Sequence, residues 1–206
     1  MAVAQMSFFS AEAMQPGVVD LGGLLCGQGQ VVHFAHAAAR LSVVLDEPWR
    51  QQALVLAFGE RGVQPELATS EEGRPLVRTA FRNDLIPLAD SWTKGAVKAV
   101  PRGLALDGAT LRVWTTAFGR WVDTGYLLGL DEHAPDTHEP LLLACTRIGL
   151  PVSLLGIRGG GPGLRLSGRR RIGRLVELVG DPPTTEAGEH WPTRAFSRSG
   201  DFLSRA

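Results

Sequence analysis

The chain has 206 residues, enough to bury a core without disulfide or metal staples. Lys plus Arg and Asp plus Glu both total 21, so no net basic field draws it to a polyanion, and any nucleic-acid contact must come from local patches. No apolar run approaches the roughly 20 residues that span a bilayer, and Cys26 and Cys145 show neither CxxC nor Cys/His metal spacing, so they read as small buried hydrophobes in a soluble, cytoplasmic chain.

After an N-terminal segment (1–16), the first unit covers 17–92. Its opening helix runs through Leu21-Gly22-Gly23-Leu24-Leu25-Cys26-Gly27-Gln28 and finishes at Gly29. A β-branched segment, Arg40 to Asp46-Glu47, leads into a helix from about Glu47 to Arg61, with Asp46 as N-cap, Pro48 in the first turn and Gly62 as stop. Val63 to Thr69 and Pro75 to Phe81 flank a Ser70-Glu71-Glu72-Gly73 turn, the signature of a hairpin, and a closing helix covers Asn83 to Trp92. Residues 93–106 have the composition of a solvated linker, with Lys94, Lys98 and Arg102.

The second unit, 107–181, opens with a helix capped by Asp107 and ending at Gly119. The extended segment Gly125 to Asp131-Glu132 precedes a capping-box pattern, Asp136-Thr137-His138-Glu139, and a helix that stops at Gly149. Val152 to Arg158 and Leu164 to Gly168 form a second hairpin around a glycine-rich turn. Because a strand follows that turn, it is read as a flexible hairpin rather than a phosphate cradle, which would open a helix. The last helix spans Arg169 to Val179, and 182–206 is a polar tail expected to be flexible.

These elements repeat. Gly29 to Gly119, Asp46 to Asp131 and Gly62 to Gly149 are separated by 90, 85 and 87 positions, so the chain reads as one unit present twice. The fold class expected is α+β: two pseudo-symmetric αββαββα halves with curved antiparallel sheets, packed through their opening helices.

The Leu-x-Gly-Leu-Leu-x-x-x-Gly pattern at 21–29, paired with Leu111-Arg-Val-Trp-Thr-Thr-Ala-Phe-Gly119 inside a duplicated unit, resembles single-chain LAGLIDADG homing endonucleases over most of 17–181. It is also similar to the LAGLIDADG-derived domain of the WhiA regulators. The resemblance implies that the two motif helices cross at a pseudo-twofold axis through small residues, namely Gly22, Gly23 and Gly27 from the first and Thr115, Thr116 and Ala117 from the second. It also implies a metal-binding acidic residue near each helix end. Those places fall on Gln28 and Phe118, neither of which supplies the carboxylate that hydrated magnesium needs.

Asp20 and Asp107 are better explained structurally, and Asp123 falls in a turn. No metal or cofactor is expected. The histidines, His33, His36, His133, His138 and His190, form no catalytic set with a nucleophile. Candidates for DNA contact are Arg40, Arg78 and Arg165 on the open sheet faces, Lys94, Lys98 and Arg102 in the linker, Arg158 in the glycine-rich turn, and Arg169, Arg170, Arg171 and Arg174 in the last helix. The function expected is a catalytically inactive, regulatory or architectural protein that binds double-stranded DNA as a monomer with an internal pseudo-twofold. A protein-interaction module with a protein partner is the alternative, and a divergent nuclease using Asp20 or Asp123 stands third.

Overall fold

The computed structural model describes residues 10–13, 15–35, 37–123, 125–156 and 161–194. Each half builds a four-stranded antiparallel sheet. Strands β1 (Gln30–Phe34), β2 (Ala38–Val44), β3 (Pro65–Thr69) and β4 (Pro75–Thr79) are ordered β1-β2-β4-β3. In the second half β7 (Gly119–Val122), β8 (Gly125–Gly129), β9 (Ser153–Leu155) and β10 (Gly163–Leu166) repeat that order as β7-β8-β10-β9. The helices are α1 (Gly22–Cys26), α2 (Pro48–Gly59) and α3 (Ile86–Trp92), then α4 (Gly108–Phe118), α5 (His138–Arg147) and α6 (Arg169–Val179). The expected α+β architecture of two αββαββα halves is the architecture found.

Alternation along the strands decides which face is covered. In the first sheet Ala39, Leu41, Val43 and Val77 point into the core, and in the second Tyr126, Leu128, Leu164 and Leu166 do. Helix residues Leu54, Phe58, Leu88, Trp114, Leu141 and Leu175 join them in one cluster drawn from both halves, so the helices cover one side of each sheet. Both cysteines belong to this core, where burial pushes the Cys26 thiol well above its ordinary value and the Cys145 thiol up to about 12.

The opening helices pack directly on each other, and here close approach overrides helix propensity. A Cβ on Gly23 would overlap the carbonyl oxygen of Thr110, and one on Gly27 would overlap the Phe118 ring. Adjacent glycines are poor helix formers, and the first motif helix is correspondingly irregular: a 3-10 turn (Val18–Leu21) runs into α1, which stops at Cys26 rather than continuing to Gly29. Gly27 and Gly29 both donate to the Leu24 carbonyl, closing the end. Asp20 accepts from the Gly17 N–H and pairs at 3.1 Å with Arg61, so it anchors the start of this helix to α2. Gly22 faces Trp92 of α3 instead of the opposite motif helix.

Four further local expectations differ from what is found. Asp46 does not cap α2: the N-cap is Glu47, in extended backbone and without a side-chain cap bond, and Asp46 is exposed. The Asp136 capping box does not form. A 3-10 turn (Pro135–Thr137) precedes α5, and the Asp131 carbonyl lies 2.7 Å from His138 Nε2. The linker is a small hairpin, β5 (Thr93–Lys94) and β6 (Val97–Lys98), packed into the structure through Lys98. The tail is docked through residue 194: Trp191 is buried, its indole donates to the Gly180 carbonyl, Trp121 donates to the Trp191 carbonyl and Tyr126 to the His190 carbonyl. The apolar body and single donor of Trp191 are what the polar composition of that tail concealed.

Candidate nucleic-acid interface and helix-end seam

Strand register assembles the open sheet faces. On the first, Gln30 stands opposite Ser42, Ser42 opposite Arg78 and Arg78 opposite Glu66, while Val32 stands opposite Arg40. On the second, Arg120 and Arg165 both stand opposite Leu127, and Ser153 stands opposite Arg165. Arg40, Arg78 and Arg165 therefore lie on open faces, with Arg78 held by Glu66 at 3.0 Å. Arg120 was absent from the sequence-based candidates. Its signal was available, since it follows Gly119 directly, 90 positions after Gln30, and strand alternation puts it in the row with Arg165.

At the seam between the halves, Gln28 and Phe118 line one cavity of about 640 Å³, together with Arg50, Arg120, Glu47 and Glu132. The Phe118 ring lies against Gly27, and Gln28 is exposed. Neither Gln28 nor Phe118 offers a carboxylate oxygen of the kind a hydrated divalent metal takes, and the carboxylates that line the cavity come from Asp46, Glu47, Glu132 and Glu189. The last backbone carbonyls of the two motif helices are held by side-chain cations instead. Lys98 Nζ donates to the Gly27 carbonyl at 2.7 Å and to Asp131 Oδ2 at 2.6 Å, with both side chains at least nine-tenths buried. Arg50 Nη1 and Nη2 donate to the carbonyls of Thr116 and Gly119 at 2.8 and 2.7 Å, and its Nε donates to Glu47 Oε2 at 2.9 Å.

The two arrangements are crossed. The end of α1 is held by a cation paired to the Asp131-Glu132 segment of the second half, and the end of α4 by one paired to the Asp46-Glu47 segment of the first. Helix C-termini carry unsatisfied carbonyls and partial negative charge, so a buried cation is favourable there. Burial pulls the Lys98 ammonium down from the ordinary lysine value, opposed by Asp131. Burial also pushes the Asp131 carboxyl up, but hydrogen bonds from Lys98, the His133 N–H and Gln30 outweigh it and hold Asp131 below its ordinary value. The repeat marked Asp46-Glu47 and Asp131-Glu132 as landmarks without showing that they brace the opposite motif helix.

The remaining candidates lie elsewhere. Lys94 and Arg102 are exposed in the linker. Lys98 is spent on the seam. Arg169, Arg170 and Arg171 are exposed, and Arg174 pairs with Glu177 at 3.4 Å. All four belong to α6, whose Ile172, Leu175 and Leu178 face the core, so these arginines leave the molecule on the helical side, away from the open sheet faces. Arg158 lies outside the described residues. Thr115, Thr116 and Ala117, expected at the crossing, are buried in α4, but Gly23 and Gly27 approach Thr110, Val113, Trp114 and Phe118 instead; the Thr116 hydroxyl donates to the Arg112 carbonyl, and Ala117 lines the seam cavity.

Duplicated αββαββα halves meeting through their opening helices define a LAGLIDADG-like fold. Solved structures share it. The homing endonuclease I-WcaI bound to its DNA recognition sequence is similar at a TM-score of 0.58 and 12% identity, over 83% of this chain and 84% of that one. Full-length DUF199/WhiA from Thermatoga maritima gives 0.55 and 14% over 90% of this chain, which spans 60% of that protein. The N-terminal LAGLIDADG domain of DUF199/WhiA gives 0.52 and 14%, over 86% and 87%. No family model and no curated protein matches the sequence.

Proposed function

We propose that this chain binds double-stranded DNA across the open faces of its two sheets and does not cut it, acting as a regulatory or architectural protein. The observation that carries this reading is the pair of buried cations at the motif-helix ends. Lys98 and Arg50 occupy the backbone carbonyls at the two helix ends and are each paired to a carboxylate, while Gln28 and Phe118 bring no acid of their own to hold a metal. Arg40, Arg78, Arg120 and Arg165 supply the phosphate-facing charge on the sheets, and one structural neighbour was solved bound to its DNA recognition sequence. Displaced acids are a poor substitute. Asp20 is buried against Arg61, and Glu47 is engaged by Arg50 and by the Trp49 indole.

The test is an electrophoretic mobility shift on genomic fragments at low salt, run beside a plasmid-nicking assay with magnesium or manganese. The expected result is binding without nicking, weakened as salt rises because phosphate contacts release counterions. Absence of binding to any duplex would sink the proposal. A protein-interaction module is the second reading, favoured by the zero net charge and by the neutralisation of Arg78 by Glu66; it predicts no shift at any salt concentration.

A further inference from the structure

Phe34 and Phe81 are the only exposed phenylalanine, tyrosine or tryptophan side chains among the described residues, and they sit together. Their ring centroids are 5.3 Å apart, at the end of β1 and just beyond β4, with 61% of Phe34 and 38% of Phe81 accessible. The Arg40 guanidinium lies over the Phe81 ring, 4.1 Å from its centroid. Val32, about half exposed, stands opposite Arg40 and continues the patch along β1. The Nε–H of Arg40 is buried without a hydrogen-bond partner, and no carboxylate among the described residues pairs with this side chain. Two exposed aromatic rings beside a cation that no carboxylate neutralises make a surface suited to a ligand.

From this geometry we infer that the first sheet carries a stacking platform for unpaired nucleotides, built from Phe34, Phe81 and Arg40. Intact duplex hides the faces of its bases, so a phenyl pair gains little from it. Single-stranded nucleic acid presents those faces, and aromatic side chains on an exposed antiparallel sheet bind them with little regard to sequence, while an adjacent guanidinium takes a phosphate or a base edge. Arg40 meets that requirement because the ring beneath it fixes its plane and no carboxylate among the described residues pairs with its guanidinium. Its counterpart Arg78 is already committed to Glu66. The inference rests on nucleic-acid binding by the sheet faces, and adds that the first half receives bases that have left the helix.

Fluorescence anisotropy with three labelled probes tests it: an intact duplex, the same duplex interrupted by a short single-stranded thymidine gap, and a thymidine oligomer of about 20 nucleotides, longer than the usual site of one sheet-based binder. The gapped duplex should bind at least about five-fold more tightly than the intact one, and Phe34→Ala or Phe81→Ala should remove that gain while leaving intact-duplex affinity unchanged. Phe34→Leu keeps the apolar bulk and should also lose the gain, which separates stacking from plain apolar contact. Equal affinity for gapped and intact duplex, or a gain that survives in the double alanine variant, overturns the inference while leaving duplex binding standing. Binding of the oligomer alone, abolished by Phe34→Ala, would support the platform and defeat the duplex reading. Binding of none of the probes would defeat both.

Discussion

The first motif helix is a 3-10 turn joined to five α-helical residues, rich in glycine and without a side-chain cap; the second is eleven residues long, with the Asp107 carboxylate accepting from the Thr110 N–H. Such unequal partners still meet at one crossing, because the first contributes the absent side chains and the second the bulk that fills them. The ends of the two helices differ in the same spirit. One is held by a lysine from the linker hairpin and the other by an arginine from α2, yet each cation is tethered to a carboxylate from the half opposite the helix whose end it holds. The open faces diverge further, toward aromatic rings and ion pairs on the first sheet and toward Arg120, Arg165 and glycines on the second. Duplication has kept the geometry of the crossing while the residues performing each task have drifted independently.

Substitutions at paired positions sharpen or break that comparison. Lys98→Met leaves Asp131 buried without its cation and should destabilise the fold by about 3–5 kcal/mol in urea unfolding. If the two ends are equivalent, Arg50→Met costs a similar amount; a loss under about 1 kcal/mol would show that only the first end needs bracing. Gly23→Ala drives a methyl group into the Thr110 and Trp114 backbone and should cost about 1–3 kcal/mol, whereas Gly22→Ala meets only the edge of the Trp92 indole and should cost less. Asp107→Ala, a lesion confined to the second motif helix, should cost about 1 kcal/mol. Arg78→Ala breaks an exposed pair and should leave stability within about 1 kcal/mol of wild type, so any large loss of DNA binding in that variant reports on contact rather than folding.

Acid offers another route to the seam. Asp131 is held below its ordinary value of 3.8, so its contribution to stability is present above the unfolded value and is lost as pH falls through the folded one. Wild type should therefore lose more stability than Asp131→Asn on going from about pH 5 to the range below 3.8, as read from urea midpoints at each pH.

Much of this architecture was legible before any coordinates. The repeat, both hairpins and α6 follow from glycine stops, strand alternation and constant offsets, and the crossing at Gly23 and Gly27 from the resemblance of the motif pair to the LAGLIDADG family. Lys98 was read as a solvated linker charge and Trp191 as part of a loose tail because their roles depend on partners 33 and 11 residues away, at Asp131 and Gly180. The helix pattern of α6 placed its arginines on a solvent face correctly, but not which side of the molecule that face would occupy. Arg120 could have been found by extending the offset one residue past Gly119. The orphaned donor on Arg40 had no sequence signal, since it depends on Phe81 arriving from beyond a different strand.

The proposal at stake is that this chain holds duplex DNA on its sheet faces without cutting it. Duplex binding measured by fluorescence anisotropy, with EDTA and then with magnesium, beside supercoiled-plasmid nicking in the same buffers, tests it most directly. The account predicts equal affinity in both buffers, a loss of binding when Arg120 and Arg165 are changed together to alanine, and intact plasmid throughout. Magnesium-dependent nicking, or duplex affinity indifferent to those arginines, would contradict it.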